Sequence, residues 1–373
     1  MDKASADDQY CKEGAQGMKT VFITGISGLL GTNLAHSFLE QGYKVTGLVR
    51  NKNSYKGNSH PALELVEGSL FGDLSETLRQ ADIVVHAAAE TRQCLSGYEH
   101  YYSINRNATV LLYYASVNCN VKHFIYISTA NTSGYGTEQE PGAEDTPVKC
   151  PFDKSLYAKS KLAAEDFLMG TANKMKVTIL NPTFMLGAYD SKPSSGKIIL
   201  MGWNKRIVAY PPGGKNFVHV KDVAQAALLC IEKGGDREKY IITGENLSYR
   251  DFFTKVTRFN QKRTLFIRIP RSFLLLTGYA GELIRLFGMH TNLCINNMKI
   301  LCVNNYYSNE KSVSRLGLNY RPVDEAISDA IAYLKENRKL LKQRNNALID
   351  FNFPRWLCRL VCQSASITST RDL

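Results

Sequence analysis

The sequence predicts an α/β fold: a doubly wound, mostly parallel sheet with a smaller lobe toward the C-terminal end. Three observations lead there. Apolar strand-like runs alternate with helical stretches from Lys19 to Pro182, the alternation turns irregular after Pro182, and the remainder to about Glu336 reads as largely helical. Parallel strands need long, usually helical, crossovers and are buried on both faces, so near-continuous apolar runs separated by helices are their signature. With 373 residues, 44% of them hydrophobic, the chain has material for a substantial core. The expected division is an N-terminal extension over 1–18, a sheet domain mainly over 19–182, a mixed region over 183–336 that completes the sheet and forms the smaller lobe, and a basic extension over 337–373.

The elements follow in order. "KTVFITG" from Lys19 is a strand, "LLGTNLAHSFLEQG" a helix and "KVTGLVR" a second strand. "DIVVHAAA" at 82–89 reads as a short buried strand, "NRNATVLLYYASVN" as a helix and "KHFIYIST" at 122–129 as a strand. A loop rich in Gly, Pro and acid then runs from Asn131 to Asp153, ahead of a helix carrying Tyr157 and the strand "KVTILNP". Beyond Pro182 come loops, a helix starting near Asp222 in "VKDVAQAALLCIE", and the strand "KYIITG". "PVDEAISDAIAYL" has proline at its start and acids in its first turn, as helices prefer. The most apolar stretch, "FLLLTGYAGELIRLFG" at 273–288, has only sixteen residues and contains Glu282 and Arg285, too short and too charged to span a bilayer. It reads as a core or lobe helix, with an interfacial helix lying on a membrane as the alternative.

Composition narrows the class. The net charge is +12, but from Lys335 onward eight Lys/Arg stand against three Asp/Glu, so much of the excess sits in a tail with no nucleic-acid module. Nine scattered cysteines (Cys11, Cys94, Cys119, Cys150, Cys230, Cys294, Cys302, Cys358 and Cys362) suit reduced thiols better than a disulfide framework or a zinc site. No metal is expected. The first residues lack the form of a secretory signal, which points to a cytoplasmic protein with membrane association left open. The expected partners are a small-molecule substrate and, left open, a second copy in a homodimer and a peripheral membrane contact; nucleic acid is not expected.

The chemistry begins at "VFITGISGLLG". Gly25, Gly28 and Gly31 recur every third residue where a strand meets a helix, one residue more than the commoner dinucleotide spacing. There the chain must turn tightly, approach a pyrophosphate without a side chain in the way, and pack closely on the sheet. Ser27, Gly28, Leu29, Leu30 and Gly31 then turn amide hydrogens toward the phosphates. At the end of the second strand, "LVRNKNSYK" offers Arg50 and nearby Lys52 rather than an acid, which favours NADP over NAD while leaving NAD open.

"YAKSK" places Tyr157 and Lys161 four residues apart, hence on one helical face, with Lys159 pointing elsewhere. An ammonium near a phenol stabilises phenolate and draws its pKa from near 10 toward a working range. The glycine turn, the strand ending "YISTA", this pair and the later "NPTFMLG", in that order over residues 19 to about 336, resemble the extended short-chain dehydrogenase/reductases, specifically their NAD(P)-dependent epimerase/dehydratase branch. The resemblance implies a Rossmann-type domain with a substrate-binding lobe. It also implies that Tyr157 exchanges a proton with the substrate hydroxyl and that Lys161 holds the nicotinamide ribose. A Ser or Thr should hydrogen-bond the same oxygen; counting from the strand selects Thr129, with Ser128 and Ser133 as alternatives because the loop is stretched.

The same resemblance places Ala87, Ala88 and Ala89 of "HAAA" beneath the adenosine, and makes Asn105 a structural brace for the active-site helix. It sets Ser69 and Leu70 against the adenine, in a Gly-Ser-Leu run where relatives have Gly-Asp-Leu. Pro182 and Thr183 fall beside the nicotinamide, and "FVHVKDVA" at 217–224 on the substrate side. "LNPTFMLGAYDSKPSSGKIIL" looks nearer to dihydroflavonol-reductase-like and hydroxysteroid-dehydrogenase-like members. That favours an NADP-dependent reduction of a ketone or aldehyde, with 273–288 lining an apolar tunnel. Nucleotide-sugar epimerisation or dehydration is the alternative, with Arg206, Lys215, Arg263, Arg268 and Arg271 as candidate cations, and a non-catalytic nucleotide-binding protein the weaker third.

Overall fold

The computed structural model describes residues 18–337 except 93–96, 192–194, 262, 288–290 and 292. Seven strands form one all-parallel sheet: β1 (Thr20–Thr24), β2 (Lys44–Val49), β3 (Leu63–Glu67), β4 (Ile83–His86), β5 (His123–Ile127), β6 (Lys176–Pro182) and β10 (Glu238–Ile242). Their spatial order is β10-β6-β5-β4-β1-β2-β3, the doubly wound order with one strand added beside β6.

Side chains alternate along β1, so Val21 and Ile23 face one helix layer and Phe22 the other. The first layer is α1 (Leu29–Glu40) and α7 (Val220–Lys233), where Leu34, Phe38, Val223 and Ala227 pack with Val21 and Ile23. The second comprises the short α2 (Ser75–Leu78), with α4 (Ala108–Asn118) and α5 (Leu156–Met169). There Leu112, Tyr113, Ala164 and Leu168 cover Phe22 and Phe124. The short α3 (Tyr98–Tyr102) runs through a π-turn at Ser103–Asn107 into α4.

The second lobe is built on β9 (Gly214–His219), which pairs with β7 (Phe184–Leu186), β11 (Glu245–Ser248) and the two-residue β13 (Asn304–Asn305). Helices α6 (Lys197–Gly202), α8 (Tyr249–Thr257) and α11 (Val323–Glu336) close a core in which Phe217 and Phe252 stack at 4.1 Å. Outside it lie the pair β8 (Ile207–Tyr210) and β12 (Leu265–Arg268), then α9 (Arg271–Leu286) against α10 (Ile295–Ile300).

Three expectations are corrected. The run at 82–89 is strand only to His86, because the amides of Ala87 and Ala88 turn to donate to the carbonyl and hydroxyl of Thr24. An unforeseen strand, β3, forms at the sheet edge with Glu64 and Glu67 exposed on it. The late region is less helical than its sequence suggests, since β11, β12 and β13 interrupt it. Among the described residues no helix is long and apolar enough to cross a membrane, no metal-binding cluster occurs, and Cys119, Cys150, Cys230, Cys294 and Cys302 are free thiols. Residues 1–17 and 338–373, with Cys11, Cys94, Cys358 and Cys362, lie outside the described residues.

Candidate functional site

The glycine turn sits at the C-terminal edge of the sheet, between β1 and α1. Gly25 has φ +73°, and a Cβ there would lie 2.7 Å from the Ala88 amide nitrogen. A Cβ on Gly31 would lie 2.1 Å from the Gly25 carbonyl oxygen, so both positions require glycine. Gly28 differs: its Cβ would meet nothing nearer than that same oxygen, at 3.4 Å, and faces open space. It is the N-cap of α1 and no side chain caps this end. The first-turn amides, including those of Leu29, Leu30 and Gly31, therefore lack intrahelical acceptors and point where an anion can approach. Ser27 is half-buried in the turn, and the Thr32 hydroxyl braces it by donating to Ile26 O at 3.0 Å. Beneath, His86 bonds with Thr24 at 2.6 Å and Thr109 at 3.0 Å; burial holds its pKa down to about 3, so it is a neutral strut. This cradle fits a dinucleotide pyrophosphate.

Along the edge, Arg50 is exposed at the end of β2 and has no ion-pair partner among the described residues. A carboxylate is nonetheless nearby. Glu67 of β3 sits opposite Val49 and accepts the Lys52 amide at 2.8 Å. Ser69 is exposed, with its hydroxyl accepting from the Phe71 amide at 3.2 Å, while Leu70 packs on the core. Ala87 and Ala88 line the floor against Gly25, and Ala89 follows, half-buried.

Helix α5 starts at Ser155, whose hydroxyl accepts the Ala158 amide, and brings Tyr157, Lys161 and Glu165 onto one face. Lys159 is exposed. Lys161 is 1% exposed; its Nζ donates to Ile127 O at 2.6 Å and lies 4.1 Å from the centre of the Tyr126 ring. Burial pulls the lysine down to about 7, against the opposing pull of Glu165. Burial pushes the Tyr157 phenol up to about 12, with the Thr129 hydroxyl beside it pulling the other way. Burial thus outweighs the lowering that the Tyr157–Lys161 spacing suggests. Two groups that share a buried face each favour their neutral form.

Of the three candidate hydroxyls, Thr129 is the one beside Tyr157. Ser128 donates to Glu165 Oε1, and Ser133 donates away from the site to Glu144 O at 3.3 Å. Glu165 itself was not singled out in the sequence. It is 1% exposed and also accepts from Thr132 and Asn181, each at 2.7 Å, clamping α5 to the ends of β5 and β6. Its signal was the third member of a four-residue repeat that starts at Tyr157. Asn105 performs the bracing role: its amide accepts from Glu90 N at 2.7 Å and donates to Glu90 O and to Ser160 of α5.

On the lobe side, Pro182 ends β6 and the Thr183 hydroxyl donates to Asn216 Oδ1 at 2.6 Å. Asn216 in turn donates to Asn246. On the opposite face of β9 the half-buried Lys215 places its ammonium 4.4 Å from the centre of the Phe184 ring; burial draws it down to about 8. No carboxylate pairs with it among the described residues. The 217–224 segment is chiefly structural: Phe217 is in the lobe core, His219 accepts the Lys221 amide, and buried Asp222 binds Arg321. The 273–288 run does not line a tunnel, since the large apolar side chains at 276, 279, 283, 286 and 287 face solvent.

Residues 21–243 match the model of the NAD dependent epimerase/dehydratase family. Over 331 residues the chain is 26% identical to the putative dihydroflavonol 4-reductase of Synechocystis sp., covering 85% of this chain and 94% of that protein. It is 33% identical over 258 residues to the sterol-4-alpha-carboxylate 3-dehydrogenase, decarboxylating, of Dictyostelium discoideum, covering 66% and 77%. It is 28% identical over 253 residues to the dTDP-D-glucose 4,6-dehydratase of Mus musculus, covering 60% and 68%. Among solved structures, gox2253 superposes with a TM-score of 0.72 at 27% identity, covering 86% of this chain and 98% of that one. Bordetella bronchiseptica WbmH in complex with NAD+ gives 0.65 at 22%, covering 86% and 99%, a likeness of fold.

Proposed function

The chain belongs to the NAD dependent epimerase/dehydratase family, and from that premise we propose that it carries out dinucleotide-dependent chemistry on the carbinol carbon of a nucleotide-linked sugar, as an epimerase or dehydratase. The observation that carries the substrate class is Lys215, a half-buried ammonium against the Phe184 ring with no carboxylate partner among the described residues, a setting suited to an anionic ligand. Nicotinamide, when bound, supplies the hydride acceptor. Tyr157 exchanges the hydroxyl proton and Thr129 hydrogen-bonds the same oxygen. With its phenol near 12, Tyr157 is protonated at neutral pH and set to donate. Serving as base requires a charged Lys161, and a lysine titrating near 7 is responsive to what binds beside it. Asn105 and Glu165 hold α5 in register.

A second reading, oxidation or reduction of a hydrophobic alcohol or ketone, is favoured by the similarity to the reductase and the sterol dehydrogenase. Product mass and cofactor balance separate the two. Incubated with sugar nucleotides and with hydrophobic ketones and alcohols, the enzyme should yield an isomer, or a product lighter by one water, from a sugar nucleotide without net cofactor consumption. Lys215→Ala should then raise KM about 10- to 100-fold with a smaller change in kcat. Stoichiometric cofactor turnover on the apolar panel alone, untouched by Lys215→Ala, overturns the sugar-nucleotide reading.

The exposed, unpartnered Arg50 supports NADP as the cofactor. Its neighbour Glu67 and the NAD+ held by WbmH favour NAD. If Arg50 reads a 2′-phosphate, Arg50→Ala should weaken NADPH binding about 10-fold or more and leave NADH binding unchanged in calorimetry. Tighter NADH binding by the wild type, unaffected by the substitution, would assign the site to NAD.

A further inference from the structure

Helix α9 is packed inside out. Leu276, Tyr279, Leu283, Leu286 and Phe287 recur at helical spacing and form one stripe along α9 and its C-cap, each between 56% and 83% exposed, with no charge among them. The opposite face buries Leu274 and two glycines. Gly278 and Gly281 are buried so tightly that a Cβ would lie 2.9 Å from Ile295 Cα and 2.1 Å from Leu293 O. The two charges in the second half of the helix are spent on holding the α9–α10 hairpin: Glu282 accepts the Ile295 amide at 3.3 Å, and Arg285 donates to Thr291 O at 3.0 Å. Fold stability therefore relies on the glycine face and gives no reason for the apolar one, which water covers at a cost.

In the sequence leading up to and into the first half of the stripe, the charge is all of one sign. From Arg258 to Gly281 the sequence contains Arg258, Lys262, Arg263, Arg268 and Arg271 and no Asp or Glu. Arg263, Arg268 and Arg271 are exposed and without ion-pair partners among the described residues, and Arg271 opens α9 itself. We propose that α9 is a docking helix for an anionic lipid bilayer, lying in the interfacial plane with the stripe entering the acyl boundary and these arginines meeting headgroup phosphates. Aliphatic anchors, two aromatic rings near headgroup depth and flanking cations are the composition such a surface selects. Antiparallel pairing of two copies would set Arg268 and Arg271 against Leu286 and Phe287 of the second copy, where the one carboxylate of α9, Glu282, is already engaged by the Ile295 amide and by Arg285. The chain's own C-terminal segment is net basic and answers them no better.

The test uses the full chain, sedimented with phosphatidylcholine vesicles containing about one-third phosphatidylglycerol and with phosphatidylcholine vesicles alone. The wild type should pellet with the anionic vesicles, less so at high salt. The triple variant Leu276→Ser, Leu283→Ser, Phe287→Ser should lose about 10-fold or more of that partitioning, with dinucleotide affinity and melting unchanged because all three side chains face solvent. Arg268→Gln with Arg271→Gln should reduce binding to the anionic vesicles. Three results each overturn the proposal: wild type remaining in the supernatant with both vesicles, wild type and triple variant pelleting equally, or a dimer without vesicle affinity that the triple variant converts to monomer.

Discussion

Tyr157→Phe is expected to lower turnover about 10²- to 10⁴-fold, the range for losing a positioned acid or base, while folding and dinucleotide affinity stay at wild-type values. The substitution removes one oxygen and one proton and leaves the ring. The helix around it is held by Ser155 at the cap, by Lys161 on Ile127 O and by Glu165 on three donors, none of which involves the phenol oxygen. Single-turnover rates on the identified substrate, beside calorimetry with the dinucleotide and a melting curve, check the separation. Wild-type turnover in a folded Tyr157→Phe protein would remove Tyr157 from the chemistry. A matched loss of cofactor affinity would make it a binding residue instead.

Gly31→Ala is expected to cost about 1–3 kcal/mol or more of stability and to weaken the dinucleotide, because a Cβ 2.1 Å from Gly25 O and 2.6 Å from Ile26 Cα meets backbone on both sides. Either the turn opens or α1 lifts from β1, and both displace the first-turn amides. Gly28→Ala is the informative contrast. Its Cβ points into open space, so that variant should melt with the wild type and still bind the dinucleotide more weakly. Melting curves with calorimetry on the pair separate packing from ligand access. Equal melting of Gly31→Ala and wild type would show that the helix-to-strand contact yields without strain.

What the sequence made legible was local. Most strands of the central sheet are β-branched, largely apolar runs, and the glycines of the turn, like Tyr157 and Lys161, lie within a few residues of one another along the chain. β3 was hidden because Glu64 and Glu67 give an edge strand the polarity of a loop. Glu165 was hidden because an acid on a helix ordinarily faces water, and only the spatial convergence of Ser128, Thr132 and Asn181 makes this one buried. The carboxylate nearest the end of β2 comes across a strand pair, from Glu67, which no single-strand reading contains. The 273–288 run misled for the opposite reason: apolar residues suggested an inward face, while two glycines had already claimed it.

The seventh strand also bears on how the chain is made. β10 completes the sheet beside β6, yet roughly 55 residues separate Pro182 from Glu238, and they build β7, α6, β8, β9 and α7. At about 5–20 residues per second, a ribosome delivers β10 several seconds after β6. During that interval the nascent sheet carries an open parallel edge with its amides unpaired, the kind of edge that recruits strands from other chains. Chaperone cover on the growing polypeptide is most valuable in that window, and the smaller lobe, emerging there, shares its assembly with the closure of the larger one.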